Sequence, residues 1–274
     1  MSGLPAGAAT SGRAEPVLEV HGLTKDFGGL HALQGIDLTV REGEVLGLIG
    51  PNGSGKTTFF NVLTGLHPAS GGTIRFLDHP DISRLAPHRI TRLGIARTFQ
   101  NQRLFNQMTV LENVLAGLVC RTRSGLPAIA LGTGAARREK RAAEQRAMQL
   151  LGLFGERLAP RRDRLAASLS YANRRRLEIA RALATEPRLL LLDEPAAGMN
   201  PTETRELMRD IAGIRERGIT ILLIEHDMRL VRGVCSRVVA LDHGVKIAEG
   251  SFAELHGHPA VLEAYLGHRA AVAL

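Results

Sequence analysis

The sequence predicts an α/β fold, a buried parallel sheet interrupted by a long helical insertion. Three observations carry this expectation. Val45–Ile49 is an apolar run that passes through a glycine-rich turn into residues 57–66, whose apolar positions have helical spacing. Residues 189–192 and 219–224 are two more apolar runs, of the kind that forms strands covered on both faces. Between the first run and the other two, from about Thr109, the periodicity is helical, so the helical stretch is inserted between two halves of one sheet.

Each element can be justified in order. Residues 17–40 alternate well enough for strands, with expected breaks at Gly28-Gly29 and at Gly35. After the helix of 57–66, Gly71-Gly72 precede a strand over 73–77. Residues 135–151 form the clearest helix: Ala143, Ala147, Leu150 and Leu151 share one side, and Gly152 is the expected stop. Ser170 can cap another helix that runs to about Ala184. No internal repeat is visible.

Composition narrows the classes. The chain has 274 residues, 44% of them hydrophobic, enough for one large domain or two small ones. Cys120 and Cys235 are too few and too far apart for a disulfide framework or a zinc cage. They read as small buried hydrophobes in a reducing compartment. Residues 1–16 are rich in Gly, Ala, Ser and Pro without a continuous apolar core, so they read as a flexible lead-in, not a signal peptide. No run approaches the ~20 apolar residues of a membrane span. The net charge of +8 is concentrated at Arg121/Arg123, Arg137/Arg138/Lys140/Arg141, Arg161/Arg162/Arg164 and Arg174/Arg175/Arg176. Such clusters could attract nucleic acid or an anionic surface, and solvated helix faces are the plainer reading. With no Trp and two Tyr, stacking on single strands has no support, and no nucleic-acid partner is expected.

The turn after Ile49 reads Gly50-Pro51-Asn52-Gly53-Ser54-Gly55-Lys56-Thr57-Thr58, a phosphate-binding loop. Its glycines let consecutive N–H groups converge on an anion, and the helix N-terminus adds its positive end there. Lys56 can reach the β- and γ-phosphates, and the Thr57 hydroxyl can bind Mg²⁺. Among the 35 basic residues only Lys25, Lys56, Lys140 and Lys246 are lysines, which makes a chance Lys at this slot implausible. The 189–192 strand ends in Asp193-Glu194-Pro195. Ligands of α/β sheets gather at the C-terminal ends of strands. Asp193 can hold Mg²⁺, most simply through a bound water, and Glu194 can act as general base toward a water. A capping acidic pair is the bland alternative, weakened by the phosphate loop.

These residues are similar to those of ABC transporter ATP-binding subunits, over about 17–267. The resemblance implies a P-loop NTPase (ABC ATPase) fold, with a RecA-like core (16–99 and 186–250), an N-terminal antiparallel β subdomain and an inserted helical subdomain (100–185). A C-terminal segment (251–268), a lead-in (1–15) and a tail (269–274) complete the chain. Leu169-Ser170-Tyr171-Ala172-Asn173 resembles the family's signature segment, with Ser170 matching and Tyr171, Ala172 and Asn173 departing. The resemblance implies that Ser170 and Tyr171 close over the ATP of a partner subunit. It implies that Gln100 contacts Mg²⁺ and the water and senses the permease. It makes His226 the switch histidine near the γ-phosphate. It also makes Phe27 the aromatic that stacks on adenine, where a core Phe is the alternative. Asn200 stands where many members have Asp.

Residues 95–101, 104–105 and 108–114, the loop 194–204 and the ending Ala264-Tyr265-Leu266-Gly267 resemble the ATPases of branched-chain amino acid importers, the LivG type. That likeness implies ATP and Mg²⁺ as cofactors and two transmembrane permease subunits as partners. It also implies a second, different ATPase in a head-to-tail dimer, an extracytoplasmic solute-binding protein, and a place on the cytoplasmic face of the membrane. Related urea or amide importers and lipopolysaccharide exporters are alternatives. So are a nucleotide-dependent adaptor without turnover and a non-transport ABC ATPase, though sustained heptads and tandem ATPase units are missing.

Overall fold

The computed structural model describes residues 15–100, 102–121 and 133–272, the side chains of 266–272 excepted. The expected lead-in up to Ala14, Asn101, Arg123 and the last two residues of the tail lie outside the described residues. β1 (Pro16–Phe27) and β2 (Leu30–Arg41) form an antiparallel hairpin. β3 (Val45–Ile49) leads into α1 (Lys56–Leu63), and β4 (Gly71–Phe76) follows. Then come α2 (Pro87–Leu93), β5 (Ile95–Arg97), α3 (Val110–Leu118), α4 (Gly134–Gly152) and α5 (Tyr171–Leu183). The chain continues through β6 (Leu189–Asp193), α6 (Pro201–Arg215), β7 (Thr220–Ile224), α7 (Met228–Val234), β8 (Arg237–Asp242) and β9 (Val245–Gly250). It ends in α8 (Phe252–His256) and α9 (Pro259–Val272).

Two sheets result. The first has the order β2-β1-β4 and is antiparallel. The second has the order β5-β6-β7-β3-β8-β9, parallel throughout except for β9 on β8. β5 and β6 are neighbours in it although α3, α4 and α5 lie between them in sequence.

Two expectations are corrected. The strand does not break at Gly35: β2 runs through it at φ +75°. The pairing shifts by one residue between Leu23↔Ile36 and Thr24↔Gln34, so the glycine is absorbed as a bulge. Gly71 and Gly72 lie within β4, because Gly71 pairs with Thr24. α4 ends at Gly152, the expected stop, and the left-handed residue that follows is Gly155, at φ +53°.

The central strands are buried on both faces, and their alternation separates two cores. Leu46, Leu48, Leu189, Leu191, Leu222 and Ile224 pack with Phe59 and Phe60 of α1 and with the antiparallel sheet. Leu190, Leu192, Ile221 and Leu223 pack with Leu177, Ile179 and Ala180 of α5 and Leu207 and Ile211 of α6. Each fully buried Leu or Ile contributes roughly 1.5–3 kcal/mol. The sheet is therefore clamped from both sides, and the C-terminal ends of β3, β6 and β7 are held as one rigid row.

Candidate functional site

That row carries the predicted phosphate loop and carboxylates. A cavity of about 750 Å³ is lined by Asn52, Gly53, Ser54, Gly55, Lys56, Thr57, Thr58, Gln100, Glu194 and His226. Leu30, His31, Ala32, Gln34 and His243 complete its walls. Gly50 is packed beneath it: a Cβ there would lie 2.2 Å from the Leu241 carbonyl oxygen and 2.6 Å from Ser54 Oγ. Only glycine fits at that approach. The Gly50 N–H donates to Tyr265 Oη at 2.9 Å, which ties α9 to the start of the loop.

Lys56 Nζ donates to the carbonyls of Gly50 (2.8 Å) and Pro51 (2.7 Å) and to Ser54 Oγ (3.2 Å). Burial pulls the ammonium's pKa down, and the negative charges of Glu194 and Asp193 pull it back up. Thr57 is exposed at the first turn of α1. A phosphate drawn to this helix start meets N–H groups, an ammonium and a hydroxyl together.

Glu194 follows β6 and adopts φ +47°, a conformation that costs a non-glycine residue about 1–3 kcal/mol. Its carboxylate spans two partners. His226 Nε2 lies 3.1 Å from Oε1, and Gln100 Nε2 donates to Oε2 at 3.1 Å. The carboxylate accepts from His226 in the tautomer that carries the proton on Nε2. Three residues that follow β5, β6 and β7 thus converge on one wall of the cavity.

Asp193 lies under that wall, with its side chain 2% exposed. It accepts from Arg97 Nη2 at 2.7 Å. Arg97 also donates to Asn61 Oδ1 at 2.7 Å and lies over the rings of Phe60 and Phe99. Sequence reasoning gives Arg97 no role; a charged residue inside a short apolar strand is the signal that points to it. Arg175 is also missed. Fully buried on α5, it donates to the carbonyls of Phe99 (2.6 Å) and Gln100 (3.0 Å) and to Glu178 Oε2 (3.0 Å). It fastens the Gln100 segment to the inserted helices.

Other predicted residues stand apart from the cavity. Phe27 is 42% exposed and does not line it. Its ring meets His67 edge-on at 5.2 Å, and Lys25 Nζ sits 4.8 Å over its centre. Ser170 caps α5, accepting from the Asn173 N–H at 3.4 Å, and is exposed. Tyr171 is 46% exposed and packs against Gly198. Ala172 is buried, so its methyl faces the interior. Asn200 caps α6: its Oδ1 accepts from the N–H groups of Thr202 and Glu203, and the Glu203 carboxylate accepts in return from the Asn200 N–H. An Asn serves this capping box as well as Asp.

A family model described as ABC transporter matches residues 33–197. The chain belongs to this family. A second model, for the branched-chain amino acid ATP-binding cassette transporter, matches residues 245–271 of the cassette. The branched-chain amino acid transport ATP-binding protein BraF of Pseudomonas aeruginosa is 46% identical over 255 residues, 93% of this chain and 99% of the relative. LivG of Escherichia coli K12 is 44% identical over the same shares. The lipopolysaccharide export ATP-binding protein LptB of Escherichia coli is 37% identical, over 91% of this chain and 97% of the relative. Among solved structures, the ADP conformation of MJ1267, an ATP-binding cassette of an ABC transporter, superposes with a TM-score of 0.80 at 33% identity, over 93% of this chain and all of that one. The dimeric bacterial cassette MJ0796 superposes at 0.71 with 26% identity, over 86% and 98%. The fold is that of a P-loop ABC ATPase, and the cassette is a nucleotide-binding, ATP-hydrolysing protein.

Proposed function

We propose that the cassette hydrolyses ATP at the 50–58 loop with Glu194 as general base, to drive uptake of branched-chain amino acids through a membrane permease. The observation that supports the chemistry best is the Glu194 carboxylate held between His226 and Gln100, facing the cavity that Lys56 and the loop line. In this reading the loop N–H groups and Lys56 hold the β- and γ-phosphates. Lys56 exchanges its loop carbonyls for phosphate oxygens. Glu194 takes the proton of the attacking water as the water's oxygen bonds to the γ-phosphorus and the bridging oxygen leaves with ADP. His226 and Gln100 hold Glu194 in place, and one or both turn to the γ-phosphate.

The residues fit a nucleotide-bound Mg²⁺ and not an all-protein metal cage. Among the described residues no cluster of three or more His, Cys, Asp or Glu could hold a metal ion. A hydroxyl at Thr57, the Gln100 amide and one carboxylate, Asp193 acting through water, suit a Mg²⁺ that keeps several waters and phosphate ligands. Bound there, Mg²⁺ would neutralise charge on the phosphates.

The solute class rests on relatives. BraF and LivG are branched-chain amino acid transport proteins, and the 245–271 match belongs to the same class. LptB, at lower identity, keeps an export role as the second reading. No helix among the described residues is long and apolar enough to cross a membrane. The permease contact belongs at a groove of about 530 Å³ beside the Gln100 segment, lined by Phe99, Arg103, Phe105, Glu178 and Arg181. A partner pressing there reaches Gln100 through Arg175. The remaining partners of this reading are a second ATPase, most simply a different one, and a solute-binding protein outside the cell.

Glu194→Gln tests the chemistry. ATP binding is expected to persist while turnover falls roughly 10²–10⁴-fold, the usual worth of a general base. Near-normal turnover would overturn the assignment. Deletion of the gene tests the solute: leucine uptake should be lost, and restored by the wild-type chain but not by Glu194→Gln. Intact leucine uptake would reject that solute class.

A further inference from the structure

β7 is wholly buried and leads into an acid that the chemistry above does not use. Glu225 is 3% exposed. Its Oε1 accepts from the Ala196 N–H at 2.7 Å, and its Oε2 accepts from the N–H groups of His226 (2.8 Å) and Asp227 (3.1 Å). The three donors come from two loops. Ala196 lies two residues past Glu194, and His226 and Asp227 begin the loop after β7. No cation is among these hydrogen-bond partners. Burial pushes the carboxyl's pKa up, while the three N–H groups work the other way. A buried acid without a counter-cation is costly, and the three N–H groups that it accepts from offset that cost; an apolar residue here would leave those donors without a partner.

We infer that Glu225 is a positioning residue for hydrolysis: its carboxylate bolts the loop bearing Glu194 to the loop bearing His226 and so sets the distance between those two side chains. The inference rests on the assignment of Glu194 as general base. Both loops hang from strands that are themselves rigid neighbours, with Asp193 paired to Ile224. The strands fix where the loops start, and the Glu194 N–H donates to the Ile224 carbonyl at 2.9 Å. Beyond those first residues, the Glu225 carboxylate grips the backbone of both loops at once. Glu194 holds a left-handed φ, which must be enforced by its surroundings. Fixing the Ala196 N–H restrains the turn just after it.

Glu225→Gln keeps the shape and places an amide NH₂ where an oxygen now accepts. One loop therefore loses its acceptor. In the full-length chain, turnover at saturating ATP should fall roughly 10- to 100-fold, as expected when reacting groups are misplaced by about 1 Å. The KM for ATP should stay within about two-fold, because the Lys56 loop is untouched. Glu225→Asp provides a second variant that keeps the charge near His226 but is too short to reach Ala196; it should also lose turnover at constant KM. Unchanged turnover in both variants would overturn the inference. So would a parallel loss of turnover, ATP affinity and thermal stability, which marks a merely structural role. Glu194→Gln is measured alongside. If it retains turnover, the base assignment itself fails; if it is inactive while the Glu225 variants are normal, only the positioning role fails.

Discussion

At the residue scale, Arg97 is the side chain on which the Asp193 carboxylate depends. The pair is almost wholly buried, at 5% and 2% side-chain exposure. Burial pulls the guanidinium's pKa down and Asp193 holds it up. Removing one member of such a pair leaves a buried charge alone. Arg97→Met is therefore expected to destabilise the cassette by about 3–5 kcal/mol, read by urea denaturation. Arg97→Lys should recover only part of this, since one ammonium cannot reach both Asp193 and Asn61 as the planar fork does. A variant as stable as the wild type would show that Asp193 finds another partner. Cys235 gives a second expectation. Burial pushes its thiol up to about 12, so at pH 8 it should resist iodoacetamide until the chain is unfolded. These residues also show what the sequence makes legible. The 50–58 loop is readable because strand, glycines, Lys56 and helix are contiguous. The Arg97–Asp193 pair is not, because its members are 96 positions apart and meet only when β5 and β6 become neighbours.

At the element scale, α5 and α6 are joined by one arginine. Arg176 is 1% exposed; its Nε donates to Asp210 Oδ2 at 2.8 Å and its Nη2 to Glu206 Oε2 at 3.1 Å. Arg157 donates to the same Glu206 oxygen at 3.0 Å. The two acids respond oppositely. The hydrogen bond from Arg157 is the main reason that Glu206 ionises below its ordinary range, whereas burial pushes Asp210 above its own. A carboxylate whose pKa is lowered by folding stabilises the fold above its unfolded value near 4.5 and loses that contribution as pH falls through the folded value. Asp210 works in the other direction, favouring the fold more when protonated. Glu206→Gln should therefore flatten the loss of stability below about pH 4.5, measured by thermal unfolding across about pH 3 to 6. An unchanged slope would mean that Glu206 is not linked to acid unfolding. The helix α5 itself is legible, from Ser170 to Ala184, because cap and apolar spacing are local. Its fastening to α6 is not, since Arg174-Arg175-Arg176 reads as a solvated basic cluster. In the structure two of those three arginines are buried.

At the scale of the whole molecule, Ser170 lies apart from the cavity, and that separation makes a prediction about how many chains one site needs. Ser170 and Tyr171 are exposed at the start of α5, and neither lines the cavity that holds Lys56, Glu194 and His226. If they serve nucleotide chemistry, they serve the site of another subunit. When this chain pairs with a second copy of itself, each copy of the two-fold sandwich lends its Ser170 and receives one in return. Two composite sites result, and either can be disabled from either chain. Ser170→Arg and Lys56→Ala should each be inactive alone, for different reasons. Mixed in equal amounts, they form some dimers that pair the intact loop of the first variant with the intact Ser170 of the second. Random pairing puts about half of the dimers in that class with one good site of two, so about a quarter of the wild-type rate should return. The wild-type rate should also rise more steeply than in proportion to protein concentration. A mixture as inactive as its components, together with a strictly proportional wild-type rate, would show that two copies of this chain do not complete each other's sites. Ser170 would then be left to the different ATPase that the importer reading pairs with this chain.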